Sequence, residues 1–229
     1  MAFFTVNTAE DNVKDFSGDG GNYLNKSGIY ECVVKHAIVD VSAKGSQSIN
    51  LFIEHNGQEQ MLFQAMRLTN NDGTENLGAK LFTKFCIVAG ADNGAEIADP
   101  VSMMLPVGKD KEEKECMVLE QFDNTPIFLR LQMEYSLYEG KIQAKKNVRN
   151  FFRFEDKATA AEIVNNSEEK GSQYEKELEL ADRVTYKDDL TEEDIENWIK
   201  SNRSGGKEKT ATKTPAAGFG GKRTFGKKS

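Results

Sequence analysis

Residues 127–154 read IFLRLQMEYSLYEGKIQAKKNVRNFFRF, and their alternation decides the fold class. Ile127, Leu129, Leu131, Met133, Tyr135 and Leu137 share one parity, as the core-facing residues of a strand do. Phe128, Arg130, Gln132, Glu134, Ser136 and Tyr138 fall on the other face. Tyr138-Glu139-Gly140-Lys141 reads as a turn, and Ile142, Ala144, Val148, Phe152 and Phe154 continue the inward set on a second strand, with Lys146 off the pattern. Lys145, Asn147, Arg149, Phe151 and Arg153 are then expected outside.

The preceding chain supplies partners for this hairpin. After a Gly/Asn/Ser-rich opening, residues 29–41 are rich in Val and Ile, with Tyr30, Cys32, Val34 and Ile38 on one parity. Ile49, Leu51 and Ile53 alternate with Asn50, Phe52 and Glu54, and Asn56-Gly57, a strong hairpin signal, leads into residues 60–68. Leu77, Leu81, Phe85 and Val88 then recur at helical spacing and end near Gly90, a suitable C-cap. Residues 91–114, with Pro100, Pro106 and a charged run, read as loop. Five strands with a helix after the third predict a mainly β chain, a five-stranded OB-like Greek-key barrel with an inserted helix. A β-sandwich fits the same strand order.

Charge divides the chain further. Of 229 residues with a net charge of -7, residues 155–199 hold fifteen acids against five bases, and residues 200–229 hold nine bases against Glu208. The expected organisation is an N-terminal extension over 1–27, a nucleic-acid-binding body over 28–154, an acidic, partly helical segment over 155–203 and a disordered basic tail over 204–229. Thr191 and Asp194 are spaced as a capping box before a short helix whose Ile195, Trp198 and Ile199 form an apolar stripe, a candidate partner-binding site. The tail ends in Gly218-Phe219-Gly220-Gly221-Lys222-Arg223-Thr224-Phe225-Gly226-Lys227-Lys228, weakly similar to Gly/aromatic/basic nucleic-acid-binding tails.

Several classes are disfavoured. No run of about 18 apolar residues is present to span a membrane, and the start lacks a secretory signal pattern, so an intracellular protein is expected. Cys32, Cys86 and Cys116 stand alone, and His36 and His55 lie far apart, which argues against disulfides, a zinc site or a cofactor. No acid pair has a partnering histidine, no phosphate-loop pattern occurs, and no enzymatic activity is expected. His36 reads as a satisfied core or edge histidine.

The outer face of the last hairpin carries the functional expectation. Arg130, Lys141, Lys145, Lys146, Arg149 and Arg153 oppose only Glu134 and Glu139, with Tyr138 and Phe151 interleaved. Cations that neutralise phosphates, beside rings on which any base stacks, suit a sequence-tolerant single-strand binder. Phe52 and Phe63 extend the platform, Lys222 and Arg223 add phosphate partners in the tail, and Phe151→Ala is expected to weaken binding without unfolding the protein.

From Gly28-Ile29-Tyr30, through the helix around 81–90, to Asn124-Thr125-Pro126-Ile127 and Asn147-Val148-Arg149-Asn150-Phe151-Phe152, the body resembles bacteriophage single-stranded DNA-binding proteins of the OB-fold type. The resemblance implies coating of single-stranded DNA in the host cytoplasm during phage replication and recombination, with replication or recombination proteins as partners of the acidic segment. It departs from the family in ending basic rather than acidic. A strand-annealing accessory protein, or a phage structural or protein-interaction module, are the alternatives.

Overall fold

The structure is a computed structural model that describes residues 23–92, 94–107 and 112–204. The chain divides into two units, residues 1–190 and 191–229. The first is mainly β, with eight strands among the described residues in one sheet that does not close.

β1 (Gly28–Val41), β2 (Gln47–His55) and β3 (Gln58–Arg67) form an antiparallel meander, as their alternation predicts. Asn56 and Gly57, with φ of 49° and 73°, make the tight turn. Ile49, Leu51 and Ile53 are buried inward. β3 carries a bulge: Leu62 pairs with Leu51 but Met66 pairs with Ile49. Gln64 holds a φ of 47° within it, and its N–H donates to Asn50 Oδ1 at 2.6 Å.

α1 (Leu77–Val88) starts at the Asn76 cap. Its first turn lies against the end of β3 so closely that a Cβ at Gly78 would meet the Arg67 carbonyl oxygen at 2.1 Å. Residues 91–114 are not all loop. β4 (Val101–Leu105) lies between the two prolines and pairs antiparallel with β5 (Lys114–Val118), whose Met117 and Val118 in turn pair with β1. The prolines that suggest a loop mark the strand's ends, where a missing N–H is tolerated.

β6 (Thr125–Tyr138) and β7 (Lys141–Arg153) form the expected long hairpin, and β6 pairs with the first half of β1. One path therefore runs β3-β2-β1-β6-β7, with β5 and β4 leaving β1 further along. Among the described residues no ladder joins β3 to β7. Instead α1 packs on both, and its fully buried Phe85 lies 5.0 Å from Phe122 and 5.2 Å from Phe151, ring centre to ring centre.

Phe151 corrects the sequence reading. Leu131 pairs with Val148 and Arg130 with Asn150, so Arg149 is an extra residue in β7. A bulge of one residue exchanges the two faces beyond it. Phe151 therefore joins the core at 0% exposure, while Asn150 and Phe152 turn to the other face. Phe52 is also buried. The β4–β5 hairpin covers the outer side of β1 and β2, and Phe52 packs there with Ile38, Leu105 and Val118.

The acidic segment within this unit packs on the sheet. α2 (Ala160–Val164), α3 (Ser172–Leu178) and β8 (Thr185–Tyr186) follow β7, and β8 pairs parallel with β6 at Glu134 and Tyr135. Tyr174 of α3 sits edge-on to Phe152 at 5.1 Å and to Phe128 at 5.5 Å. The second unit contains α4 (Glu192–Ser204), capped as expected by Thr191, which shares hydrogen bonds with Asp194.

Because Phe151 fills the seam beneath α1, Phe151→Ala is expected to destabilise the protein by about 3–5 kcal/mol, measured by urea unfolding, rather than to act on a ligand surface.

Candidate nucleic-acid interface

β6 and β7 present their outer face in two halves of different character. Nearest the body, the cations and rings are already engaged. The Arg130 guanidinium donates to Glu177 Oε2 at 2.8 Å and to the Leu180 carbonyl at 3.1 Å, and Asn150 Nδ2 donates to Glu177 Oε1 at 2.8 Å. The Arg130 and Glu177 side chains are only 14% and 11% exposed. Arg153 donates through Nε to Asp156 at 2.9 Å. Of the two arginines expected to face nucleic acid, Arg130 instead holds the acidic segment on the sheet, and Arg153, which the bulge sets opposite Ile127 and off the outer face, pairs with Asp156 three residues on.

The acids of that segment are placed rather than merely solvated. Thr159 and Glu162 form a capping box, and the Glu162 carboxylate also accepts from Ser172 Oγ at 2.9 Å and from the Gln173 N–H at 3.0 Å, joining α2 to α3. Burial pushes this carboxyl up, but the amides of Thr159 and Gln173 and the hydroxyls of Ser172 and Thr159 outweigh it and hold the pKa at about 2. Asp156 is held below its ordinary value first by its hydrogen bond from Arg153.

Toward its tip the hairpin is open. Tyr138 is 60% exposed, Lys141, Lys145 and Arg149 are exposed, and Leu137 at 41% shows the tip running past the core. Arg149, freed by the bulge, donates through Nε to Gln132 Oε1 at 2.7 Å. Glu134 lies among Lys187, Lys145 and Arg149. The hydrogen bond from Lys187 Nζ, 2.8 Å long, is the largest influence keeping this carboxyl below its ordinary range. Lys146 lies on the core-facing side, half-buried, and desolvation lowers its pKa.

Lys187 is a cation of this face that the linear pattern misses. The parallel β8 ladder brings it there from 53 residues away along the chain, and no local periodicity signals such a pairing.

Phe63 lies elsewhere. The β3 bulge presents it 70% exposed at the rim of a groove of about 540 Å³ between β1–β2–β3 and the β4–β5 hairpin, with Ile38, Asn50, Met61 and Met117 among the lining. The charged residues lining this groove are Asp40 and Glu115. It suits a flat apolar ring better than a phosphate. Of the other expected site residues, Ile195, Trp198 and Ile199 lie on α4 at helical spacing, and Lys222 and Arg223 fall outside the described residues. His36 is satisfied: its Nδ1 lies 3.0 Å from Asp123 Oδ1 and its ring stacks on Phe52.

No protein-family model matches the chain, and no curated protein matches it by sequence.

The Glu162 carboxylate stabilises the folded state while ionised, because its pKa is lowered on folding. That contribution is complete above the ordinary carboxylate value and lost as pH falls toward about 2. Urea unfolding between pH 6 and 2.5 is expected to show a declining midpoint, with a smaller decline in Glu162→Gln, which at pH 6 starts about 1–3 kcal/mol less stable.

Proposed function

We propose that this chain is a non-enzymatic, sequence-tolerant single-stranded DNA-binding protein of the OB type. In this reading it acts in phage DNA replication and recombination in the host cytoplasm. The path β3-β2-β1-β6-β7, with a helix following the third strand and spanning the open seam, is the strand order of a five-stranded OB barrel left open at one junction. On that basis β4, β5 and β8 are additions to the barrel.

The observation that carries the proposal is the open half of the hairpin. Tyr138, Lys141, Lys145 and Arg149 leave three cations and a ring exposed on one projecting element of a chain whose net charge is -7, with Glu139 and Asp188 near its turn and with Glu134 neutralised by Lys187. Concentrated positive charge on an acidic protein favours a polyanion, and an exposed ring among the cations favours unpaired bases over duplex. Phe63, over a groove without cations, supplies a second ring for a base.

Fluorescence anisotropy with labelled oligo-dT at low and high salt tests this. The full-length protein is expected to bind single strands far more tightly than duplex, with affinity falling as salt rises. Phe63→Ala and Tyr138→Ala are each expected to cost about 1–3 kcal/mol of binding. Lys145→Ala with Arg149→Ala is expected to lower the salt slope by roughly 0.7 for each phosphate no longer neutralised. Arg130→Ala is expected to reduce stability instead, because it strands the buried Glu177 carboxylate. Absence of binding, or binding indifferent to salt and to both rings, overturns the proposal.

A further inference from the structure

Among the described residues, three strands longer than two residues keep one side unpaired: β3, β4 and β7. Such an edge offers a row of N–H and C=O groups to any extended chain that reaches it, and charge on the edge is the usual protection. β7 carries Lys141, Lys145, Lys146 and Arg149, and β3 carries Glu59 and Arg67. β4, Val101-Ser102-Met103-Met104-Leu105, carries no charge.

Its side chains are also open on one face. Ser102 pairs with Met117 and Met104 with Glu115 of β5, so Ser102, Met104, Met117 and Glu115 share a face, with Met104 56% and Met117 42% exposed and the Ser102 hydroxyl donating to Glu115 Oε1 at 2.6 Å.

Pro100 and Pro106 bracket the strand symmetrically about Met103. Proline has no N–H to give a ladder, so a new strand pairs only between them. An antiparallel pair of two such strands centred on Met103 places 101 opposite 105 and 102 opposite 104. Both pairs of prolines then fall at the ends and no charge faces another. A shifted register either shortens the ladder or brings a proline into it. We propose that β4 pairs with β4 of a second copy of this chain about a two-fold axis, extending the sheet across both molecules. The proposal does not rest on the nucleic-acid reading.

Sedimentation of the full-length protein over a concentration series, without nucleic acid, reads the result. The parent is expected to pass from monomer to dimer. Ser102→Lys combined with Met104→Lys sets like charges opposite each other twice, and is expected to weaken the dimer about tenfold. Ser102→Glu combined with Met104→Lys sets opposite charges at the same two places, keeps the same Met104→Lys change opposite Glu115 within the chain, and is expected to restore it. Both positions are exposed, and circular dichroism of each variant reports the fold. A parent that stays monomeric throughout, variants that all sediment alike, or a Glu/Lys variant as dissociated as the Lys/Lys variant overturns the proposal.

Discussion

One extra residue in β7 governs how this molecule is assembled. Val148 and Phe151 both face the core although three positions apart, because Arg149 and Asn150 lie between them where a regular strand allows one residue. Without the bulge, this sequence presents either Val148 or Phe151 to the core and sends the other out. With it, Phe151 reaches Phe85 and helps to fill the seam that no ladder closes. Asn150 and Phe152 are turned outward by the same step, where they give α3 its seat through Glu177 and Tyr174.

That seat divides the hairpin's outer face. The near half is neutralised by the chain itself, Glu177 against Arg130, while the far half keeps Lys141, Lys145 and Arg149 exposed. The acidic segment follows β6 as far as Leu137, whose N–H donates to Asp188 Oδ2 at 2.8 Å, so the exposed positive charge is left on the β7 side of the hairpin. On the proposed function, nucleic acid meets a short cationic finger rather than a whole sheet face. The buried Arg130–Glu177 pair serves position more than energy, since the cost of removing both charges from water offsets much of their attraction.

The sequence is most legible where one face is buried and the other wet. β2, β6, the first half of β1 and the start of β7 follow period-two alternation, and Asn56-Gly57 marks its turn directly. Bulges break the period in β3 at Gln64 and in β1 after Val34, so Ile38, expected beside Val34, lies on the other face with Phe52. α1 follows helical spacing to its cap. Legibility fails where something covers a second face or breaks the period. Phe52 alternates outward correctly on β2, yet the β4–β5 hairpin that buries it lies in a stretch whose prolines and charges read as loop. The bulge at Arg149 has no signature in composition, so a parity carried straight through it misplaces Phe151 and Arg153. The acids of residues 155–190 look like a solvated run, and their partners, Arg130, Arg153, Ser172 and the Gln173 amide, are recognisable only once the chain has folded back.

Two single-residue deletions in β7, compared by urea unfolding, distinguish an extra residue from an ordinary one. Removing Arg149 leaves Val148, Asn150 and Phe151 as three consecutive residues of a regular strand, so Val148 and Phe151 still face the core and Asn150 still faces Glu177. That deletion is expected to fold cooperatively and to stay within about 2 kcal/mol of the parent. Asn147 pairs regularly with Gln132, two positions before the bulge. Its removal either turns Val148 outward and Arg149 into the core or shifts every residue between it and the hairpin turn to the opposite face, and is expected to cost more than about 4 kcal/mol or to abolish cooperative unfolding. An Arg149 deletion as damaging as the Asn147 deletion would contradict the claim that Arg149 is the residue β7 carries in excess of its ladder.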